Sequence, residues 1–269
     1  MSEPDSPPTP APRPASWSGR ATDVERHARH ILLKEIGGPG QARLGAARVL
    51  IVGAGGLGAP AALYLAAAGI GALRIADPDQ VSLDNLQRQI LFRTEDVGRP
   101  KTEAAKDALK ALDPGVEIDA QAIAADPETL PALVAGCDLV LDGCDDFETR
   151  FAVNAACIAA GVPLVSGAVG RWDAQVGVFA PHLGEALPCY RCLVPQTPPD
   201  AERCAEVGIV GALTGVAGSV MALEAIKLAA GAGEPLLGRL MVFDGLAGAA
   251  RVVSVARDPA CPACGAGGA

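Results

Sequence analysis

Three glycines, a carboxylate downstream of them, a run of aspartates and two cysteine pairs are the residues whose type and spacing bear on chemistry. Gly53, Gly55 and Gly58 fill the three positions of G-x-G-x-x-G. In that pattern the first glycine makes the turn, the second lets backbone approach phosphate and the third lets helix pack on strand. Phosphate then lies at a helix N-terminus, where free N–H groups and the macrodipole favour anions. Asp77 ends the next apolar run, where a carboxylate can accept from ribose hydroxyls. Asp142, Asp145 and Asp146 crowd the end of a later strand. One of them can cap the helix beginning near Phe147, and a hard oxygen ligand beside phosphate suits Mg²⁺, so Asp145 is either a magnesium ligand or a cap. Cys189 with Cys192, and Cys261 with Cys264, form two C-x-x-C knuckles. Four thiolates of this kind suit a closed tetrahedral structural Zn²⁺ site, with a redox dithiol as the alternative.

These residues need a scaffold, and the pattern around them supplies one. Because glycine is common in this chain, G-x-G-x-x-G alone is weak; its context is what gives it meaning. The apolar run Val49 to Val52, an alanine-rich helical stretch and a second apolar run closing on Asp77 make a β-α-β unit. A polar loop follows and feeds an expected amphipathic helix from about Leu83, carrying Asp84, Asn85 and Arg88 on the side of the ligand crevice. Arg99, Pro100 and Lys101 open another helix, and a lysine there opposes the helix dipole unless an anion lies nearby. Strands are expected over Val116 to Ile123 and Leu139 to Leu141, with a helix from about Pro127 to Ala135 between them, and further strands over Leu164 to Phe179. Upstream, Asp23 to Leu33 reads as one helix whose Arg26 and Arg29 form a basic face, Gly37 to Gly40 as a turn, and Gln41 to Leu44 as the lead into the first strand. The fold class is therefore α/β: a Rossmann-like β-α-β half continued into a mixed sheet flanked by helices, with the zinc knuckles tying down the end of the chain.

Composition narrows the function. Of the 269 residues half are hydrophobic and only 3% aromatic, so the core is built from small aliphatic side chains. A net charge of -9 argues against sequence-independent nucleic-acid binding, which needs clustered Lys and Arg. Residues 1–20 are proline-rich and are expected to be a disordered tail without the apolar region of an export signal, with 21–269 forming one domain. The apolar stretch Val207 to Leu223 is interrupted by glycine and runs into Glu224 and Lys227, which favours a buried helix over a membrane span. A cytoplasmic location follows as the expectation, so the cysteines are read as reduced. Cys137, Cys144 and Cys157 read as core residues, whereas Cys204 lies in a polar loop as either an incidental or a reactive thiol.

The motifs taken together resemble the ubiquitin-activating-enzyme superfamily, in particular its bacterial sulfur-carrier adenylyltransferases, the MoeB, ThiF and HesA group. The resemblance runs from about Val24 to Gly265 and rests on R-H-A-R-H, G-x-x-G-Q ending at Gln41, G-A-G-G-L-G, the block from Asp77 to Gln89, G-R-P-K ending at Lys101, G-C-D-D, P-C-Y-R-C and C-P-A-C. It implies adenylation, by ATP, of the C-terminal Gly-Gly carboxylate of a small ubiquitin-fold sulfur carrier of the molybdopterin or thiamine type, with release of pyrophosphate. It also implies roles: Gly56 lines the nucleotide, Asp77 takes the ribose, Asn85, Arg88 and Lys101 contact phosphates, and Asp145 holds Mg²⁺ with Asp146 beside it. Arg29 reaches in from the partner subunit of a homodimer. The chain departs from the family pattern at His27 and His30, where Tyr and Gln are common, and at Asp146, where Asn is common. With only Gly and Ala after Cys264, the sulfur donor is expected to be a separate protein. The competing reading from the fingerprint is an NAD-dependent oxidoreductase with a structural zinc, and a third is a scaffold without chemistry. Arg88, Lys101 and the acidic cluster favour a triphosphate with Mg²⁺ over a dinucleotide.

Overall fold

The computed structural model describes residues 21–198 and 208–265. The expected tail, 1–20, and Cys204 lie outside the described residues.

Five short runs become parallel strands; four are apolar and mostly buried, as expected inside a parallel sheet, whereas E-I-D-A-Q is the half-exposed edge. These are β1 (Arg48–Val52), β2 (Ala72–Ala76), β3 (Glu117–Gln121), β4 (Leu139–Asp142) and β5 (Leu164–Val169). Three more, β6 (Asp173–Phe179), β7 (Arg239–Asp244) and β8 (Ala249–Ser254), continue the same sheet antiparallel. The order is β3-β2-β1-β4-β5-β6-β7-β8, a mixed eight-stranded sheet. Since β2 and β4 lie on opposite sides of β1, chain direction across the sheet reverses there. Such a switch point opens a crevice beyond the carboxyl ends of β1 and β4, and this is where ligands bind in open α/β sheets.

Helices cover both faces. The first are α1 (Ala21–Arg26), α2 (Ala28–Ile31), α3 (Gly37–Ala46), α4 (Gly58–Ala67) and α5 (Lys101–Leu112). Then come α6 (Leu130–Val134), α7 (Phe147–Ala160), α8 (Tyr190–Leu193) and α9 (Gly211–Ala230). α9 packs on α3, α4, β5 and β6. By length and composition α9 could cross a bilayer, but Ala217, Met221 and Ala225 on it are wholly buried inside the fold.

Three local expectations are corrected. Gly37 to Gly40 is not a turn before a strand: it opens α3, with Pro39 in the first turn, where no intrahelical N–H is needed, and with Gln41 and Leu44 buried. The segment from Leu83 forms one 3₁₀ turn, Leu83–Asn85, instead of an amphipathic helix. Its short polar side chains bond locally, Ser82 Oγ to Asp84 Oδ1 at 2.6 Å, and so compete with helical pairing. The helix expected over Asp23 to Leu33 divides at His27 into α1 and α2. His27 is buried, and its ring lies so near Gly69 that a Cβ there would come within 2.7 Å of it. Burial holds the His27 imidazole below its usual range, with the Asp113 carboxylate opposing.

Candidate functional site

The switch-point crevice is a cleft of about 590 Å³, in the range of small-molecule sites. It forms where β1 ends at Val52 and the chain turns sharply into α4. Gly53 makes the turn at φ +87°, a left-handed conformation that disfavours side chains. Gly58 lets helix meet strand: a Cβ on it would lie 1.9 Å from the Gly53 carbonyl oxygen. Gly53, Gly55 and Gly56 line the cleft; within α4 the Ala59 and Ala61 N–H groups already donate to the Gly55 and Leu57 carbonyls and Pro60 has none, so anion contact falls to the glycine turn before the helix. Gly56 lies between Thr214 and Arg88, where a Cβ would press on Thr214 Cγ2 at 3.0 Å. Gly58 is the buttress beneath this cradle, not part of its lining.

Asp77 closes the turn from β2. Its Oδ2 accepts the Ala54 N–H at 2.8 Å and its Oδ1 the Asp79 N–H at 2.9 Å. Burial pushes its carboxyl above the usual range, while Lys101 and those two N–H groups pull it back. Lys101, at the first position of α5, is buried in the cleft wall with Nζ 2.8 Å from Asp79 Oδ2 and 3.9 Å from Asp77 Oδ1. The helix-dipole conflict read from the sequence is thus already offset by two carboxylates. Asp79, which sequence reasoning passed over, is a cleft residue whose signal was its place two residues after Asp77.

The three aspartates after β4 separate by role. Asp142 is fully buried; its Oδ1 accepts the Cys144 N–H at 3.0 Å, and its Oδ2 takes Ser166 Oγ at 2.8 Å and Arg150 Nη1 at 3.3 Å. Arg150 also donates to the Cys144 carbonyl, so this buried pair holds both main-chain groups of Cys144, the residue before Asp145. Asp146 caps α7, its Oδ1 accepting the Thr149 N–H at 2.8 Å. Asp145 carries none of these bonds and stands exposed at the cleft rim, the one of the three placed to take a hard cation. Cys137, Cys144 and Cys157 are buried as expected, and burial pushes the Cys144 and Cys157 thiols up.

Asn85, Arg88, Lys101, Asp145 and Asp146 all line the cleft with the glycine turn. Asp84 does not; it is exposed beside the cleft. Arg29 is exposed on α2 and is not among the residues that line its own chain's cleft. Gln89, Arg150, Tyr190 and Thr214 line the cleft too. Of these Gln89 sits in the quoted block ending in N-L-Q-R-Q, whereas Thr214, Arg150 and Tyr190 are brought in only by tertiary packing.

The two cysteine knuckles meet at the base of α8. Their four sulfurs lie within 4.8 Å of one another, with Cys189 to Cys261 at 3.6 Å and Cys192 to Cys264 at 3.5 Å. Tetrahedral Zn–S bonds of about 2.3 Å place sulfurs roughly 3.8 Å apart, so the donor set fits a structural zinc without rearrangement.

The fold and the site define a doubly wound α/β protein with a charged, glycine-walled cleft at its switch point. The chain belongs to the ThiF family, whose family model matches residues 27–263. It is 45% identical over 247 residues to the sulfur carrier protein adenylyltransferase of Thermus thermophilus, covering 90% of this chain and 91% of that one. It is likewise 45% identical to the molybdopterin-synthase adenylyltransferase of Escherichia coli, covering 90% and 97%. Among solved structures, MccB of E. coli superposes with a TM-score of 0.79 at 25% identity, covering 91% of this chain and 74% of that one. MccB crystallised with ATP gives 0.72 at 28% identity, covering 84% and 69%.

Proposed function

We propose that this protein is an ATP-dependent adenylyltransferase that activates the C-terminal Gly-Gly carboxylate of a small ubiquitin-fold sulfur carrier. The observation that carries the reading is the convergence of Lys101, Arg88, Asn85 and the glycine turn leading into α4 on one cleft with Asp145 at its rim. Of the relatives named above, one is a sulfur carrier protein adenylyltransferase and another a molybdopterin-synthase adenylyltransferase, and neither supports the dehydrogenase alternative.

In this reaction a carboxylate oxygen of the carrier forms a bond to the α-phosphorus of ATP, the bond to the bridging oxygen breaks, and pyrophosphate leaves. Lys101, Arg88 and the α4 N-terminus supply positive charge where negative charge moves toward the leaving group. Asp77 orients the ribose. Asp145 would hold Mg²⁺, which when bound neutralises phosphate charge. The Asp142–Arg150 clamp on Cys144 keeps the chain entering Asp145 in place. Arg29, exposed on α2 and not among the residues lining its own cleft, acts in the site of a partner subunit within a homodimer. Sulfur reaches the activated carrier from a separate donor protein, and the setting is the cytoplasm. Carrier-dependent ATP–pyrophosphate exchange tests this function directly.

Zn²⁺ at Cys189, Cys192, Cys261 and Cys264 would be structural, joining the segment after β6 to the chain's end with no ligand position open for chemistry. Elemental analysis of protein purified without chelator is expected to give one zinc per chain. Cys261→Ser is expected to lower the melting temperature markedly while activity per folded molecule changes little. Metal-free protein of unchanged stability would contradict the assignment.

A further inference from the structure

Gln89 is almost fully buried in the cleft wall, yet its side-chain carbonyl Oε1 has no hydrogen-bond partner. An uncompensated buried acceptor is expensive, and native folds keep few of them. The direction of the amide is set from outside. Ser82 Oγ donates to Asp84 Oδ1 at 2.6 Å, and the Asn85 side chain also bonds that carboxylate; together they hold Asp84 below the usual carboxylate range, the serine bond foremost. A carboxylate only accepts, so Asn85 must turn its NH₂ toward Asp84 and its Oδ1 away. That oxygen takes the Gln89 Nε2–H at 2.6 Å. Gln89 is left with its carbonyl unpartnered within the cleft wall, while its Nε2 is the atom nearer Gly55.

We infer that Asp84, Asn85 and Gln89 form a polarised side-chain relay that presents the Gln89 carbonyl as a fixed acceptor for an uncharged N–H or O–H of the substrate. This rests on the adenylyltransferase reading and deepens it. Ionised phosphate oxygens have no proton to donate, so Gln89 rejects phosphate and marks where the triphosphate must not lie. Two substrate groups have the required chemistry: a ribose hydroxyl of the nucleotide, and a backbone N–H of the carrier's Gly-Gly tail. Gln89 is in this sense a positioning and specificity residue, and Asp84 acts through it from the surface without touching the nucleotide.

The test is titration calorimetry with a non-hydrolysable ATP analogue and its 2′-deoxy and 3′-deoxy forms, together with KM for a Gly-Gly-ended carrier in pyrophosphate exchange. The variants are Gln89→Leu, Asp84→Asn and the double variant. Gln89→Leu removes the acceptor at similar volume and is expected to weaken one substrate about tenfold, the worth of one buried hydrogen bond. If the donor is a ribose hydroxyl, the loss appears in nucleotide affinity and vanishes for one deoxy analogue. If it is the carrier, nucleotide affinity holds and the carrier KM rises. Asp84→Asn is expected to give a smaller loss on the same substrate, and none further when Gln89→Leu is already present, because coupled residues are not additive. Unchanged affinity for both substrates in Gln89→Leu, or full additivity of the two substitutions, would overturn the relay. Wild-type protein that binds no nucleotide would instead overturn the adenylyltransferase reading.

Discussion

Lys101→Ala is expected to lower ATP–pyrophosphate exchange by about 10³-fold while the protein stays folded, because the lysine supplies charge that matters most in the transition state. Lys101 is 4% exposed, and its partners are two carboxylates that, without it, lose the ammonium that pairs with both. Burial already pushes the Asp77 carboxyl up, and Lys101 is the main influence pulling it down, so its loss moves Asp77 further toward the neutral form. Alanine is well suited to the first turn of α5, which limits structural damage to a small cavity. Lys101→Met fills that cavity, and the same loss of exchange with it separates charge from packing. Asp145→Ala, at an exposed rim position, is expected to match the loss with no change in thermal unfolding. Near-normal exchange in either charge-deleting variant, with a carrier that supports the wild type, would remove these residues from the site.

The second large effect is a recovery. Arg29→Ala and Asp145→Ala are each expected to be nearly inactive alone, since a two-fold dimer would build each site from one subunit's Lys101 and Asp145 and the other's Arg29. Unfolded and refolded together in equal amounts, half of the dimers are mixed and each has one intact site, restoring roughly a quarter of wild-type activity. Native mass spectrometry confirms the mixing. Mixed dimers without activity would confine Arg29 to its own chain or to no catalytic part at all.

Much of the fold was legible because its defining unit is local. Val49 to Asp77 contains strand, glycine turn, helix and strand in one window, and each signal agrees with the next. The mixed sheet and the core cysteines followed from apolar runs in the same way. The misread segments have two causes: tertiary burial overrode a local rule in one, and local side-chain bonds competed with the helix in another. Gly37, Gly38, Pro39 and Gly40 are turn formers by type, but burial of Gln41 and Leu44 carries the helix through them. The segment after Leu83 has helical spacing, but Ser82, Asp84 and Asn85 bond one another and hold it in a tight turn. In the site, the charged residues were readable from type and motif. The division of labour among Asp142, Asp145 and Asp146 was not, because it depends on Arg150 and Ser166 arriving from α7 and β5. Gln89 was hidden for a similar reason, since the direction of an amide is fixed by neighbours and not by its own position.

The most direct measurement is exchange of labelled pyrophosphate into ATP by the wild-type protein with Mg²⁺, with and without a ubiquitin-fold carrier ending in Gly-Gly. Exchange that appears only with the carrier, and that is lost when the carrier's terminal glycine is removed, is the predicted result. No exchange with carriers of either the molybdopterin or the thiamine type, or equal exchange without any carrier, would contradict it.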